Sequence, residues 1–167
     1  TDGTGTAARF RGISGITNDG TDLFVVESGG HRVRKITTAG VVTILAAPLT
    51  PTPGYVDSTT SGSVRFNTPI GIEYDSQSQL LYVGDTVNNR VRSINRNSPP
   101  GSTSTHAGSA STPVDGVVGG LSSSSILPGV SLRGLHAAND GTRQLIVECT
   151  TASAASIDVA LVSTGSD

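Results

Sequence analysis

Three histidines, one cysteine and a recurring set of acids and arginines are the side chains of this sequence that could do chemistry. A metal centre needs three or four convergent ligands. His31, His106 and His136 have no histidine partner two or four positions away, so no metal site is expected. Asp2, Asp57 and Asp115 recur at separations of 55 and 58 residues. Oxygen ligands could hold calcium, but one acid per repeat reads better as a cap on a loop between structural units. Cys149 has no cysteine to pair with and no nearby base to lower its pKa, and reads as a small buried strand residue. No Gly-x-Ser-x-Gly elbow is present, and the glycines of Asp2–Gly5 are not followed by the Lys-Ser/Thr of a phosphate loop. These residues supply no catalytic, cofactor-binding or metal set, and the chain is expected not to be an enzyme and to need no cofactor.

The one recurrent basic feature is Arg32, Arg34, Arg90 and Arg92, with His31 beside the first pair. Such a cluster could hold an acidic partner or a phosphate backbone. With 11 Lys and Arg against 13 Asp and Glu and a net charge of −2, there is no broad positive field for nucleic acid or an anionic membrane. A structural role fits better. Glu27 with Arg32, and Asp85 with Arg90, are expected to pin a strand-to-strand turn by charge-assisted hydrogen bonds. Two Ser/Thr/Pro tracts stand apart from this pattern. Thr50, Pro51, Thr52 and Pro53 form one, and Ser98, Pro99, Pro100, Ser102 and Thr103 the other. Extended tracts of this kind are exposed and are candidate sites of O-linked or hydroxyproline-linked sugar. No Asn-x-Ser/Thr acceptor is present.

The elements that would position these residues are written into a repeat. Arg9-Phe10 recurs as Arg65-Phe66, Gly15-Ile16 as Gly71-Ile72, Leu23-Phe24-Val25 as Leu81-Tyr82-Val83, and Arg32-Val33-Arg34 as Arg90-Val91-Arg92. A third, divergent copy carries Gly134-Leu135, then Asn139-Asp140-Gly141-Thr142 in answer to Asn18-Asp19-Gly20-Thr21, then Leu145-Ile146-Val147. A fixed period of this size signals an array of similar supersecondary units. The divisions fall at 1–54, 55–114 with a Ser/Thr/Pro-rich loop over 97–113, and 115–167. In each unit β-prone apolar runs are separated by turn residues, Asn-Asp-Gly being a strong hairpin signal. Val and Ile of Arg-Val-Arg-x-Ile are expected to face inward and the arginines outward. Four short antiparallel strands per unit make a propeller blade. Leu23 to Val25, Leu81 to Val83 and Leu145 to Val147 are then equivalent inner strands, with Ile16, Ile72 and Leu135 beside them in the core. Charged residues are only 14%, Ser and Thr are abundant, and no run approaches the ~18 apolar residues of a membrane-spanning helix.

Asp2 to Ile16, and above all Leu-Phe-Val-Val-Glu-Ser-Gly-Gly-His-Arg-Val-Arg-Lys-Ile over Leu23 to Ile36, resemble NHL-repeat β-propellers. Leu81 to Ile94 repeats the motif with Gly84, Val87 and Asn88-Asn89 as departures. The third copy departs further: Ala154 to Val159 replaces the arginine segment, and Cys149 stands where Glu27 and Asp85 stand. The resemblance implies an all-β fold, a sector of about three four-stranded blades within a larger ring, since closed propellers have roughly four to eight blades. Starting at Thr1 inside a repeat, without an initiator Met, the chain reads as a piece of something longer. The expected function is a non-enzymatic structural or interaction module of a larger extracellular or cell-surface assembly, a filament such as an algal mastigoneme among them. Its expected partners are other propeller blades or protein subunits and the loop glycans, with no nucleic acid and no membrane span. The alternatives are a propeller hydrolase or lyase with a central-channel site, and an intracellular protein- or RNA-binding scaffold.

Overall fold

The computed structural model describes residues 1–97 and 99–108, and the backbones of three further strands at 131–138, 143–150 and 156–163. The strands are β1 (Gly3–Thr4), β2 (Ile13–Asn18), β3 (Leu23–Glu27), β4 (Arg32–Ile36), β5 (Val41–Ala46), β6 (Pro69–Asp75), β7 (Leu80–Asp85), β8 (Arg90–Asn95), β9 (Ser102–Gly108), β10 (Ser131–Ala138), β11 (Arg143–Thr150) and β12 (Ser156–Ser163). Short 3-10 turns at Gly5–Ala7, Ser61–Ser63 and Thr86–Asn88 are the only helical segments described. All pairing is antiparallel, in sheets ordered β1-β5-β4-β3-β2, β6-β7-β8-β9 and β10-β11-β12. The fold is all-β.

β2 to β5, β6 to β9 and β10 to β12 each run as a meander, and the turns before β4 and β8 have the residues tight connections need. His31 and Asn89, at matching positions before β4 and β8, both take a positive φ, 50° and 53°. Left-handed backbone costs most residues about 1–2 kcal/mol and is easiest for Gly, Asn and Asp. The register then carries the repeat exactly where the sequence placed it in three sheets: Ile16↔Val25↔Arg34, Ile72↔Val83↔Arg92 and Leu135↔Val147↔Val159. The three Leu-x-Val runs are therefore equivalent, but they are second strands. Neighbouring sheets approach most closely along their first strands, β2 against β6 and β6 against β10, so these hold the narrow end of the sector.

A bulge interrupts each first strand at the same place, between Ile13 and Gly15, Pro69 and Ile72, and Leu132 and Gly134. The recurrent glycine has a steric reason there. A Cβ on Gly15 would lie 2.6 Å from the Ile70 carbonyl oxygen of the next sheet, closer than nonbonded atoms can pack. The core lies between the first two sheets. Phe24, Val26, Val33, Leu45 and Ala46 of one face meet Phe66, Ile72, Leu81, Val83 and Ile94 of the other. Ile16 is not in that core, contrary to expectation, and is 60% exposed where its equivalent Ile72 is 4% exposed. The physical reason is that no described sheet lies in front of the first one.

The Ser/Thr/Pro-rich loop expected at 97–113 is shorter than that. β9 begins at Ser102, and its small polar residues pair with β8 through Asn95↔Ser102 and Arg92↔Thr105. An outermost strand needs no apolar alternation, which is why hydrophobic pattern missed it. The outer edges of the first two sheets are themselves covered: Gly3 and Thr4 pair with Val42 and Val41, and Ser58 bridges to Thr103. Asp115, Ser109 to Pro113, Asn139 to Thr142 and Ala154-Ala155 lie outside the described residues.

Candidate functional site

The charged residues singled out in the sequence converge on two matching buried anchors. Arg34 and Arg92 were expected to face outward; both are completely buried. Register explains it. Val33 and Val91 lie on one face, so the arginines occupy the other, and that face is covered by the segment that enters each sheet. Arg34 donates to Asp2 Oδ1 at 2.8 Å, Glu27 Oε2 at 3.2 Å, and the carbonyls of Arg9 at 3.2 Å and Thr1 at 3.1 Å. Arg92 donates to Asp57 Oδ1 at 3.0 Å through Nε, to Asp85 Oδ2 at 2.8 Å, and to the carbonyls of Arg65 at 3.0 Å and Val56 at 2.9 Å. The guanidinium carbons lie 5.3 Å from the Phe10 ring centroid and 5.0 Å from that of Phe66. Repeated Arg-Phe thus provides both a carbonyl and an aromatic face to the anchor.

Of the four paired residues read from sequence, Glu27 and Arg32 meet in a salt bridge. Asp85 is instead brought to Arg92, 2.8 Å away, and to Asn88 Nδ2 at 2.8 Å. Arg90 donates to the Asn88 carbonyl at 3.1 Å and stacks its guanidinium 3.7 Å from the Tyr55 ring centroid. Each acid also takes a backbone N–H of the entering segment, Arg11 N to Glu27 at 2.6 Å and Asn67 N to Asp85 at 2.7 Å. Burial alone would raise the Glu27 carboxyl, but the Arg32 hydrogen bond, the Arg11 N–H and the two arginine charges hold it below its ordinary value. For Asp85 burial prevails over Asn88, the Asn67 N–H and Arg92, and its pKa is raised.

Asp2 and Asp57 fasten the entering segment to the outermost strand. Asp2 accepts from Ile44 N at 3.3 Å, and Asp57 from Thr105 N at 3.0 Å and Tyr55 Oη at 3.0 Å. Asp57 is held below its ordinary pKa: burial opposes this, and the Thr105 hydroxyl, Arg92 and Tyr55 outweigh it. In the third sheet the registers place Cys149 and Val159 where the acid and the buried arginine stand in the others. Acid and arginine are replaced together.

A second set of polar contacts, invisible to motif reading, crosses the seam between the first two sheets. His31 Nδ1 accepts from Thr68 N at 3.0 Å, Thr17 Oγ1 accepts from Tyr74 N at 3.3 Å, and Ser14 Oγ donates to the Pro69 carbonyl at 3.1 Å. Arg96 bridges to Asp19 at 2.7 Å and donates to the Tyr74 hydroxyl at 3.0 Å. Burial, with the Arg11 charge, lowers the His31 pKa against the pull of Asp85, which keeps Nδ1 unprotonated and able to accept. His106 packs edge-on against Tyr82, their centroids 4.8 Å apart. Among the described residues no group of three His, Cys, Asp or Glu converges to hold a metal, and no helix is long and apolar enough to cross a membrane.

The candidate sugar sites divide. Thr50, Thr52, Pro53, Pro99 and Pro100 are exposed and Pro51 is half-buried. Ser102 and Thr103 are strand residues of β9, and Thr103 is buried with its hydroxyl on the Gly101 carbonyl. Ser98 lies outside the described residues.

This architecture has solved counterparts. An auxiliary nutrient binding protein from Bacteroides thetaiotaomicron is similar over 81% of this chain and 33% of its own, with 16% identity and a TM-score of 0.58. One from Bacteroides ovatus is similar over 77% and 32%, with 17% identity and a TM-score of 0.55. A streptogramin B lyase covers 88% of the chain at a TM-score of 0.49. The chain is a β-propeller sector. It spans about a third of the nutrient binding proteins it resembles, and each of its sheets is a blade. No family profile and no curated sequence matches it.

Proposed function

We propose that this sector is a non-enzymatic structural or interaction module, of the NHL type, within a larger extracellular or cell-surface assembly such as a mastigoneme-like filament. The observation that carries the reading is the fate of the reactive side chains. Arg34, Arg92, Glu27 and Asp85 are buried in ties between strand and entry segment, and His31 is tied across the blade seam. Among the described residues, Thr50, Thr52, Pro53, Pro99 and Pro100 of the two proline-containing loops face solvent. Extended Pro-rich segments present such side chains to transferases without unfolding a blade.

The test is fractionation of the native source after labelling intact cells with an impermeant reagent, followed by glycopeptide mass analysis. The protein is expected in the labelled, high-mass fraction with sugar on the 50–53 and 99–100 tracts. Recovery as unlabelled soluble protein with both tracts bare would overturn the reading.

A further inference from the structure

Of the four recurrent arginines, Arg90 alone does not end on a carboxylate. Arg32 meets Glu27, Arg34 meets Glu27 and Asp2, and Arg92 meets Asp57 and Asp85. Arg90 pairs with no acid among the described residues, although its backbone faces Asp85 in the register that joins Arg32 to Glu27. It is only 9% exposed. Its Nη1 donates to the Asn88 carbonyl at 3.1 Å, while Nε and Nη2 have no acceptor among the described residues. A cation enclosed to this degree costs free energy unless it is paired.

A single turn position accounts for the missing pair. Gly30 of the first blade stands where the second has Asn88. A Cβ on Gly30 would lie 2.9 Å from Glu27 Cβ, 3.0 Å from Glu27 Oε2 and 3.3 Å from Arg32 Nε, so a side chain there enters the space of the ion pair. Asn88 brings that side chain. Its Nδ2 donates to Asp85 Oδ2 at 2.8 Å, Arg92 donates to the same oxygen at 2.8 Å, and Asn67 N donates to Oδ1 at 2.7 Å. Asp85, one methylene shorter than Glu27, is occupied by these donors and leaves Arg90 without it.

Arg90 lies instead against Tyr55, its guanidinium carbon 3.7 Å from the ring centroid. Hydrogen bonds from Tyr55 Oη to Asp57 at 3.0 Å and to Thr105 Oγ1 at 2.9 Å hold that ring as a fixed wall. The free nitrogens, Nε and Nη2, are the adjacent pair that takes a carboxylate side-on at two points. Both reach solvent, since among the described residues Arg96 Nε alone is sealed off without a partner. In the first blade the matching edge is filled, Arg32 Nε donating to Glu27.

We propose that Arg90, walled by Tyr55, is a binding site for a carboxylate, held by Nε and Nη2 in the place that Glu27 takes on Arg32. The carboxylate is that of a small free anion or of an acidic side chain on a bound segment; both present the same planar pair of oxygens. Asp57 and Asp85 do not compete for the fork, because both are engaged by Arg92. The site does not rest on the module reading, and a protein found inside the cell would keep it.

NMR titration of the full chain near neutral pH, read at the Arg90 Nε–H and the Tyr55 ring, tests this. Sodium acetate is expected to shift both signals saturably, and sodium chloride at equal ionic strength is not. Arg90→Lys keeps the charge and loses the fork, and should weaken acetate by about 10-fold or more, read at Tyr55. Asp85→Glu combined with Asn88→Gly rebuilds the first blade's arrangement, and should abolish binding with Arg90 still present. Unchanged circular dichroism spectra check that both variants fold. A terminally blocked Ala-Glu-Ala peptide that shifts the same signals where acetate does not assigns the site to an acidic side chain, with the Ala-Gln-Ala peptide silent. No saturable shift with either probe, a shift matched by chloride or the Gln peptide, or binding undiminished in both folded variants overturns the proposal.

Discussion

Arg92 shows how one side chain organises a blade. It is a buried cation whose donors reach two carboxylates and two carbonyls, so truncating it strands Asp85 and Asp57 without their counter-charge. Breaking a buried pair from one side costs roughly 3–5 kcal/mol. Arg92→Met should therefore destabilise by about that much, and adding Asp85→Asn should recover part of it, with a coupling in the range of about 0.5–3 kcal/mol. Urea unfolding of the three variants measures the cycle; strict additivity would contradict the anchor. The seam histidine makes a different prediction, through pH. Its folded pKa is lowered by burial and Arg11, so the folded state favours the neutral ring. Its contribution is present above the ordinary value of about 6.5 and is lost as pH falls below it. Asp57 and Glu27, also lowered, contribute above the ordinary carboxylate range near 4 and lose that contribution in stronger acid. Stability should fall in two steps, and His31→Asn, which puts the residue of position 89 there, should abolish the first step alone.

Between elements, the decisive constraint is how closely first strands approach. Gly15 has no room for a Cβ against the Ile70 carbonyl, whereas a Cβ on Gly62 would meet nothing within 4 Å. Gly15→Ala should push the two blades apart and cost more than about 2 kcal/mol, while Gly62→Ala stays within about 0.5 kcal/mol. Thermal melts of the pair decide this, and equal effects would mean the seam yields more readily than its geometry implies. The turn chemistry behind these elements was readable: Asn18 to Thr21 and Thr86 to Asn89 do connect the strands assigned on either side. β9 was not readable, since Ser102 to Gly108 owes its place to hydrogen bonding with β8 and to Ser58, not to an apolar period.

For the molecule as a whole, equivalent residues should carry unequal weight. Leu81 is fully enclosed between two blades and Leu23 is open to solvent on one side. Leu81→Ala should cost about 2–5 kcal/mol by transfer and cavity terms, and Leu23→Ala less than about 1 kcal/mol. A repeat protein's stability is a sum of unit and neighbour-interface terms. Chemical denaturation at low protein concentration tests the ratio, and equal losses would mean that both faces are covered.

The sequence by itself determined the all-β fold, the repeat, the equivalence of the Leu-x-Val strands and the recurrence of acid, arginine, glycine and Phe. These are local or periodic properties, set by turn residues and by side-chain alternation. The acid–arginine pairing was legible only in part: Glu27 with Arg32 follows from adjacency across a turn, but Asp85 reaches Arg92 and both long arginines are buried. Tertiary structure decided that, because the segment covering Arg34 and Arg92 comes from residues 25 to 36 positions earlier in the chain. It also decided which of two identical apolar patterns became core. Phe10 and Phe66 read alike in sequence; burial depends on whether another blade lies in front, a fact about neighbours in space that no local pattern encodes.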